Sequence, residues 1–175
     1  FMESVWWVFS ELYKKGLIYQ GFKVVPYSPR TASVVSNFEA NQNYKDIQDP
    51  AVTVKFALAG EDKTFFLAWT TTPWTLPANL ALAVGKELDY LLIEDQKTFE
   101  KYYLAKERLS FLYSEKNKDD YKILKELKGH ELAGQSYEPL FSYFKEAKEE
   151  GAFKVLLADF VTTSDGTGIV HQAPA

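Results

Sequence analysis

The sequence predicts a mainly β domain of the α+β class, in which many short strands close or nearly close into a sheet and a few helices lie outside it. Three observations carry that expectation. After Pro50, apolar and β-branched residues recur in short runs separated by turn residues. Apolar residues at helical spacing are confined to a segment near the start and a few short stretches later. Finally, 175 residues with 46% apolar composition are enough to build one domain with a real core. Short strands with few helices are the pattern of closed or packed β architectures.

Taken in order, the chain opens with Val5, Trp6, Phe9, Leu12 and Tyr13 at helical spacing between Met2 and Lys15, and Gly16 is placed as a helix stop. Leu17 to Val25 is rich in β formers, is broken by Gly21 and runs into Pro26 and Pro29, so an extended ribbon followed by a loop is expected. Asn37 to Asp49 is polar and reads as an irregular connection. Val52, Val54, Phe56 and Leu58 then alternate with smaller or polar residues, Gly60-Glu61-Asp62 forms a turn, and Thr64 to Thr70 returns as the partner strand. Leu80 to Val84 is a short strand broken by Gly85. Tyr90 to Ile93 and Tyr102 to Leu104 are two more. Leu109, Leu112 and Tyr113 place a short helix at Glu107 to Tyr113. The charged run from Glu115 to Asp120 reads as a solvated loop. Periodicity leaves Tyr121 to Leu127 open between strand and helix. Gly129 to Leu140 is a loop rich in breakers, and Phe141 to Gly151 is a short surface helix ended by glycine. Phe153 to Val161 is a strand, Thr162 to Thr167 a turn, and Ile169 to Gln172 the last strand.

The most informative stretch is Trp69 to Val84, WTTTPWTLPANLALAV. Thr70, Thr71 and Thr72 extend a strand readily because they are β-branched. Pro73 and Pro77 lack a backbone donor and hold the residue before each in extended geometry. The chain must leave its sheet here, presenting hydroxyls beside an indole on a segment stiffened by two prolines. Such a segment binds a polar ligand at low entropic cost. The residues alone equally fit an ordinary threonine-rich strand end, with Trp74 plugging a core. Asn79 is open between capping the turn before Leu80 and facing a ligand, and His171, alone between Val170 and Gln172, between a structural role and a functional one.

Several chemistries are excluded. Twenty basic against twenty-four acidic residues give a formal charge of −4, the wrong sign for gripping many phosphates of a duplex. No apolar run approaches the length of a membrane span, and no leader is expected from Phe1-Met2-Glu3-Ser4. The absence of cysteine removes disulfides and thiol nucleophiles and fits a reducing compartment. With only His130 and His171, a zinc site is not expected. No G-x-S-x-G, dinucleotide-binding or Walker sequence is present. Hydrolysis by a positioned water remains, since an activated ester needs mainly an oriented water and a stabilised oxyanion.

TTTPWTLPAN, followed by GTGIVHQAP from Gly166 to Pro174, resembles the two editing motifs of the isoleucyl-tRNA synthetase family, a class I aminoacyl-tRNA synthetase family with its editing domain inserted in the catalytic fold. GHELAGQSYEPL resembles a third block of the same family. The sister enzymes for valine and leucine carry an arginine after the threonine pair, where this chain has Thr72. The resemblance implies a compact β-barrel of the Val/Ile/Leu-tRNA synthetase editing type. Residues 1–44 would be a helix and ribbon connecting from the catalytic domain, and 45–175 the editing domain of a larger enzyme. It implies hydrolysis of valine mischarged on isoleucine tRNA and of valyl-adenylate, with Thr70, Thr71, Thr72 and Asn79 catalytic and Trp69, Trp74, Thr75 and His171 binding substrate. Implied partners are the 3′ end of isoleucine tRNA and the rest of the synthetase, in the cytoplasm. No metal or cofactor is implied in this domain, ATP belonging to the catalytic domain. An aspartate for the substrate's ammonium group is expected after HQAP. The competing reading is a non-catalytic insert that binds the single-stranded tRNA end or docks on the catalytic domain.

Overall fold

The computed structural model describes residues 1–46, 48–113 and 119–174, which divide into two units, Phe1–Gln48 and Asp49–Ala175.

In the first unit, α1 (Met2–Lys14) ends as Gly16 requires. Gly16 has φ +68°, its N–H donates to Tyr13 O at 2.9 Å, and Leu17 N–H donates to Leu12 O at 3.1 Å, the paired bonds of a Schellman stop. The ribbon expected from Leu17 to Val25 enters no ladder. Pairing is confined to β1 (Tyr27–Ser28) and β2 (Ser33–Val34), an antiparallel two-residue ladder. The connection expected to be irregular contains one helical turn, α2 (Asn37–Ala40). Ser36 Oγ accepts from Glu39 N–H at 3.2 Å and Glu39 Oε2 accepts from Ser36 N–H at 2.8 Å, a capping box written in the sequence as S-x-x-E.

The second unit holds two sheets. Five strands order as β3 (Val52–Ala57), β4 (Thr64–Thr70), β7 (Lys101–Ala105), β6 (Asp89–Asp95) and β8 (Tyr121–Lys128). Three more order as β10 (Ile169–Gln172), β5 (Ala81–Val84) and β9 (Lys154–Leu157). Tyr121 to Leu127 is thus a strand, fixed by its antiparallel ladder with β6 rather than by its periodicity. Strand β4 is buried on both faces, which explains its continuous apolar run. Phe66 and Ala68 join the core shared with β5, β9 and β10, where Tyr137 packs edge-on against both Phe56 and Phe153, with ring centroids 5.3 and 6.0 Å apart. Leu67 lies in the second cluster with Leu91, Ile93, Tyr102 and Leu104, covered by Leu109 and Leu112 of α3 (Leu109–Leu112).

The expected closed barrel is not detected among the described residues, and three local expectations need correction. Among the described residues the strands do not close into one hydrogen-bonded barrel: the two sheets are joined through single bridges, Leu58 to Tyr137 and Ser136 to Lys154. The bridging segment is cut short by Pro139, which has no N–H for a ladder. Phe141 to Gly151 forms only a 3-10 turn at Lys145–Lys148, because Phe141 and Phe144 remain exposed and a short helix without a buried stripe is not stable. The strand expected over Phe153 to Val161 ends at Leu157, and the loop at Gly129 to Leu140 begins with one helical turn, α4 (Gly129–Leu132), whose Leu132 is fully buried. Most of the charged run before Tyr121 lies outside the described residues.

Candidate active site

The candidate site forms where β4 and β7 part. Their parallel ladder covers only Thr64 to Phe66 against Lys101 to Tyr103, so β4 has β3 alone as a ladder partner from Leu67 onward. The turn before β10 fills the space. Thr167, 1% exposed, donates its hydroxyl to Leu67 O at 2.6 Å and accepts Ala105 N–H on its carbonyl at 2.8 Å. Gly168 O accepts the Tyr90 hydroxyl at 2.7 Å, and Tyr90 accepts Gly85 N–H at 2.9 Å. Burial pushes that phenol up to about 12, so it remains a donor. Both glycines of the turn are dictated by close approach. Gly166 has φ +65°, and a Cβ there would lie 2.9 Å from Cε3 of Trp69. At Gly168, φ +73°, it would lie 2.3 Å from Ala105 Cβ.

The result is a cleft of about 290 Å³ between Trp69, Thr70 and Thr71 on one side and Phe160 with the 162–170 segment on the other. Among the described residues its lining contains hydroxyls, glycines and aromatics, no lysine or arginine, and one carboxylate, Asp165. This composition favours hydroxyl-bearing or cationic groups over phosphate.

Beside the cleft runs a chain of hydrogen bonds. Pro73 opens a 3-10 helix, Pro73–Ala78, at the position where a missing N–H costs nothing. Thr70 Oγ1 accepts Thr72 N–H at 3.0 Å and lies 3.2 Å from Thr72 Oγ1. Thr75 donates its hydroxyl to Thr72 O at 2.8 Å, which commits its single proton. At 3.1 Å from His171 Nε2, Thr75 Oγ1 is therefore the acceptor and Nε2 carries hydrogen. The lone pair of the ring is on Nδ1, which is buried without a hydrogen-bond partner among the described residues. Burial lowers the imidazole below its ordinary 6.5, so it is neutral at pH 7.

The residues singled out from the sequence thus fall into separate places. Trp69, Thr70 and Thr71 line the cleft. Thr72, Thr75 and His171 form the hydrogen-bonded chain joined to it through Thr70. Trp74 is 74% exposed and plugs no core. Asn79 is 5% exposed and is not among the cleft's lining. Its Nδ2 donates to Ala81 O at 2.9 Å and to Gln172 O at 3.4 Å, and its Oδ1 accepts the Tyr137 hydroxyl at 2.6 Å. The amide ties β5 to β10 and to the 136–137 bridge. His130 is exposed. The sequence marks neither the wall from Phe160 to Asp165, nor Tyr90 and Arg108, which hold the glycine turn, nor Tyr137, which holds Asn79; the paired glycines of DGTG are the nearest signal. Among the described residues no group of three or more His, Cys, Asp or Glu is placed to hold a metal, and no helix is long and apolar enough to cross a membrane.

The family model for class I tRNA synthetases (I, L, M and V) matches residues 1–163. The isoleucine–tRNA ligase of Tetrahymena thermophila is 57% identical over 174 residues, which are 99% of this chain and 16% of that protein. The isoleucine–tRNA ligase of Bdellovibrio bacteriovorus is 53% identical over 175 residues, covering 100% of the chain and again 16% of the relative. The chain therefore spans only that fraction of the length of these relatives. The fold is similar to the crystal structure of the P. knowlesi cytosolic leucyl-tRNA synthetase editing domain, with a TM-score of 0.56 at 15% identity, over 70% of this chain and 58% of that one.

Proposed function

The chain belongs to the class I tRNA synthetases of the I, L, M and V group, and on that premise we propose that its cleft is the editing site of an isoleucyl-tRNA synthetase, hydrolysing valine esterified to isoleucine tRNA. The observation that carries this reading is the cleft itself: a threonine wall on the strand end, facing a glycine-rich wall, with no cation for a phosphate among the described residues. A terminal ribose offers hydroxyls and an aminoacyl ester offers an ammonium group. Both suit a lining of threonine, serine and Asp165.

Each residue then has a distinct task. Thr70 is 7% exposed and held by Thr72 N–H, so it supplies a fixed oxygen at the base of the threonine wall. Thr71 is exposed, lines the cleft and makes no hydrogen bond to another described residue, which leaves its hydroxyl free to orient the attacking water. Thr72 braces Thr70 and anchors Thr75. Donors on the two walls would meet the developing oxyanion. His171 lies beside the cleft, donates from Nε2 to Thr75 and keeps its lone pair on the buried Nδ1. In this reading it acts as a rigid limit on the length of the amino-acid side chain and not as the base. Asn79 acts from behind by tying β5 to β10, the strand into which the glycine-rich wall runs. Trp69 packs against Gly166 and fixes the width of the cleft, while the exposed Trp74 is left to meet the tRNA end.

In the whole enzyme the partners would be the single-stranded 3′ end of isoleucine tRNA, valyl-adenylate and the catalytic domain, which uses ATP. The setting would be the cytoplasm, as in the relative named cytoplasmic isoleucine–tRNA ligase from Mus musculus. The test is deacylation of valyl-tRNA of the isoleucine type by the full-length synthetase. Turnover supports the hydrolase, whereas tight binding of the tRNA end without turnover makes the chain a docking insert.

A further inference from the structure

We propose that Arg108, behind the cleft and outside its lining, is a positioning residue that sets the orientation of the glycine-rich wall. Its consequence for rate rests on the hydrolytic reading above; its geometry does not. The guanidinium donates from Nε to Gly166 O at 2.8 Å and from Nη1 to Ser164 O at 3.3 Å. The Phe111 ring lies 5.5 Å from Arg108 Cζ and gives the guanidinium a surface to rest on. Two neighbours grip the same loop. Glu107 accepts the hydroxyl of Thr163, and Ala105 N–H donates to Thr167 O at 2.8 Å. One short element, the end of β7 and the 3-10 turn Lys106–Arg108, thus holds residues 163, 164, 166 and 167.

The loop depends on such a hold. Residues 162–168 belong to no strand, Ser164 and Asp165 are exposed, and Gly166 occupies left-handed backbone space that leaves glycine many alternatives. In a planar trans peptide the N–H points opposite to the C=O. Drawing the carbonyls of Ser164 and Gly166 to Arg108 therefore turns the N–H groups of Asp165 and Thr167 away from it and fixes two peptide planes on the cleft wall. Only a guanidinium reaches two carbonyls with a rigid fork; a lysine ammonium is a single flexible point charge.

The experiment compares the full-length synthetase with R108Q and R108K, reading hydrogen exchange across residues 162–168, deacylation of valyl-tRNA and activation of isoleucine. Both variants should exchange faster in 162–168. Each should lose about 10- to 100-fold in kcat/KM for deacylation, the scale of a small misplacement of reacting groups. Isoleucine activation should stay at the parent's value, showing that the enzyme is folded. Unchanged exchange in R108Q would overturn the clamp. So would an R108K variant that matches the parent, since charge alone would then suffice. Faster exchange with unchanged deacylation would overturn the link between loop and rate. If the parent itself fails to hydrolyse valyl-tRNA, the hydrolytic reading falls, while faster exchange in the variants still upholds the clamp.

Discussion

Replacing His171 by alanine separates a wall from a base. The substitution removes one hydrogen bond, from Nε2 to Thr75 Oγ1 at 3.1 Å, worth about 0.5–1.5 kcal/mol net. It also removes a buried acceptor, Nδ1, that has no partner among the described residues. The two effects oppose each other, so a loss of stability under about 2 kcal/mol is expected and the variant should fold. The larger effect is on specificity. One methylene distinguishes isoleucine from valine and is worth about 1–3 kcal/mol in a pocket, a rule for which isoleucyl-tRNA synthetases are themselves the worked example and not a value obtained from this structure. If the imidazole limits the pocket, His171→Ala should raise hydrolysis of correctly charged isoleucyl-tRNA by about 10- to 200-fold and leave valyl-tRNA hydrolysis within a few-fold of the parent. If it is a general base, both substrates should instead fall together, by about 10²- to 10⁴-fold. The assay is single-turnover deacylation of the two esters by the full-length enzyme. A variant that spares isoleucyl-tRNA as faithfully as the parent, or loses both activities, refutes the wall.

Three further outcomes follow from the same geometry. Tyr137→Phe should cost about 1–3 kcal/mol in urea unfolding, because the 2.6 Å bond to Asn79 Oδ1 is buried and its loss strands an acceptor; a change under about 0.5 kcal/mol would contradict the role given to Asn79. Because burial holds folded His171 below 6.5, its neutral form contributes stability above the unfolded value, and that contribution disappears as pH falls through the folded one. Lowering pH from about 7 to about 5 should therefore lower the unfolding midpoint less in His171→Ala than in the parent, and equal falls would count against the burial argument. Deacylation should survive prolonged treatment with EDTA; loss of activity that zinc restores would reveal a metal site.

The parts of the fold that were legible in the sequence are those whose signals are local. The alternation from Val52 to Leu58, the turn at Gly60 and the return over Thr64 to Thr70 appear as the β3–β4 hairpin in register from Val52–Thr70 to Ala57–Phe65. The breakers around Ile169 to Gln172 likewise bounded a real strand. What was not legible depends on partners distant in sequence. Arg108 grips carbonyls 56 and 58 positions away, and nothing in Lys106-Glu107-Arg108 marks that reach. Asn79 sits inside the most telling motif, yet its amide joins strands through Gln172 and Tyr137, 93 and 58 positions later. Trp74 is apolar by type and exposed in place, since the 3-10 helix points it away from any core. The barrel expected from many short strands depends on edge pairing, which Pro139 and the single bridges at Leu58 and Ser136 limit here.

If the threonine wall performs the hydrolysis, its loss must show in valyl-tRNA deacylation by a full-length enzyme with Thr71 and Thr72 both replaced by alanine, measured beside isoleucine activation by the same preparation. Thr71 supplies the cleft's free hydroxyl and Thr72 braces Thr70 at 3.2 Å. Deacylation should be abolished while activation and melting temperature stay near those of the parent. Deacylation at the parent's rate in a normally folded double variant would contradict a hydrolytic role for the wall.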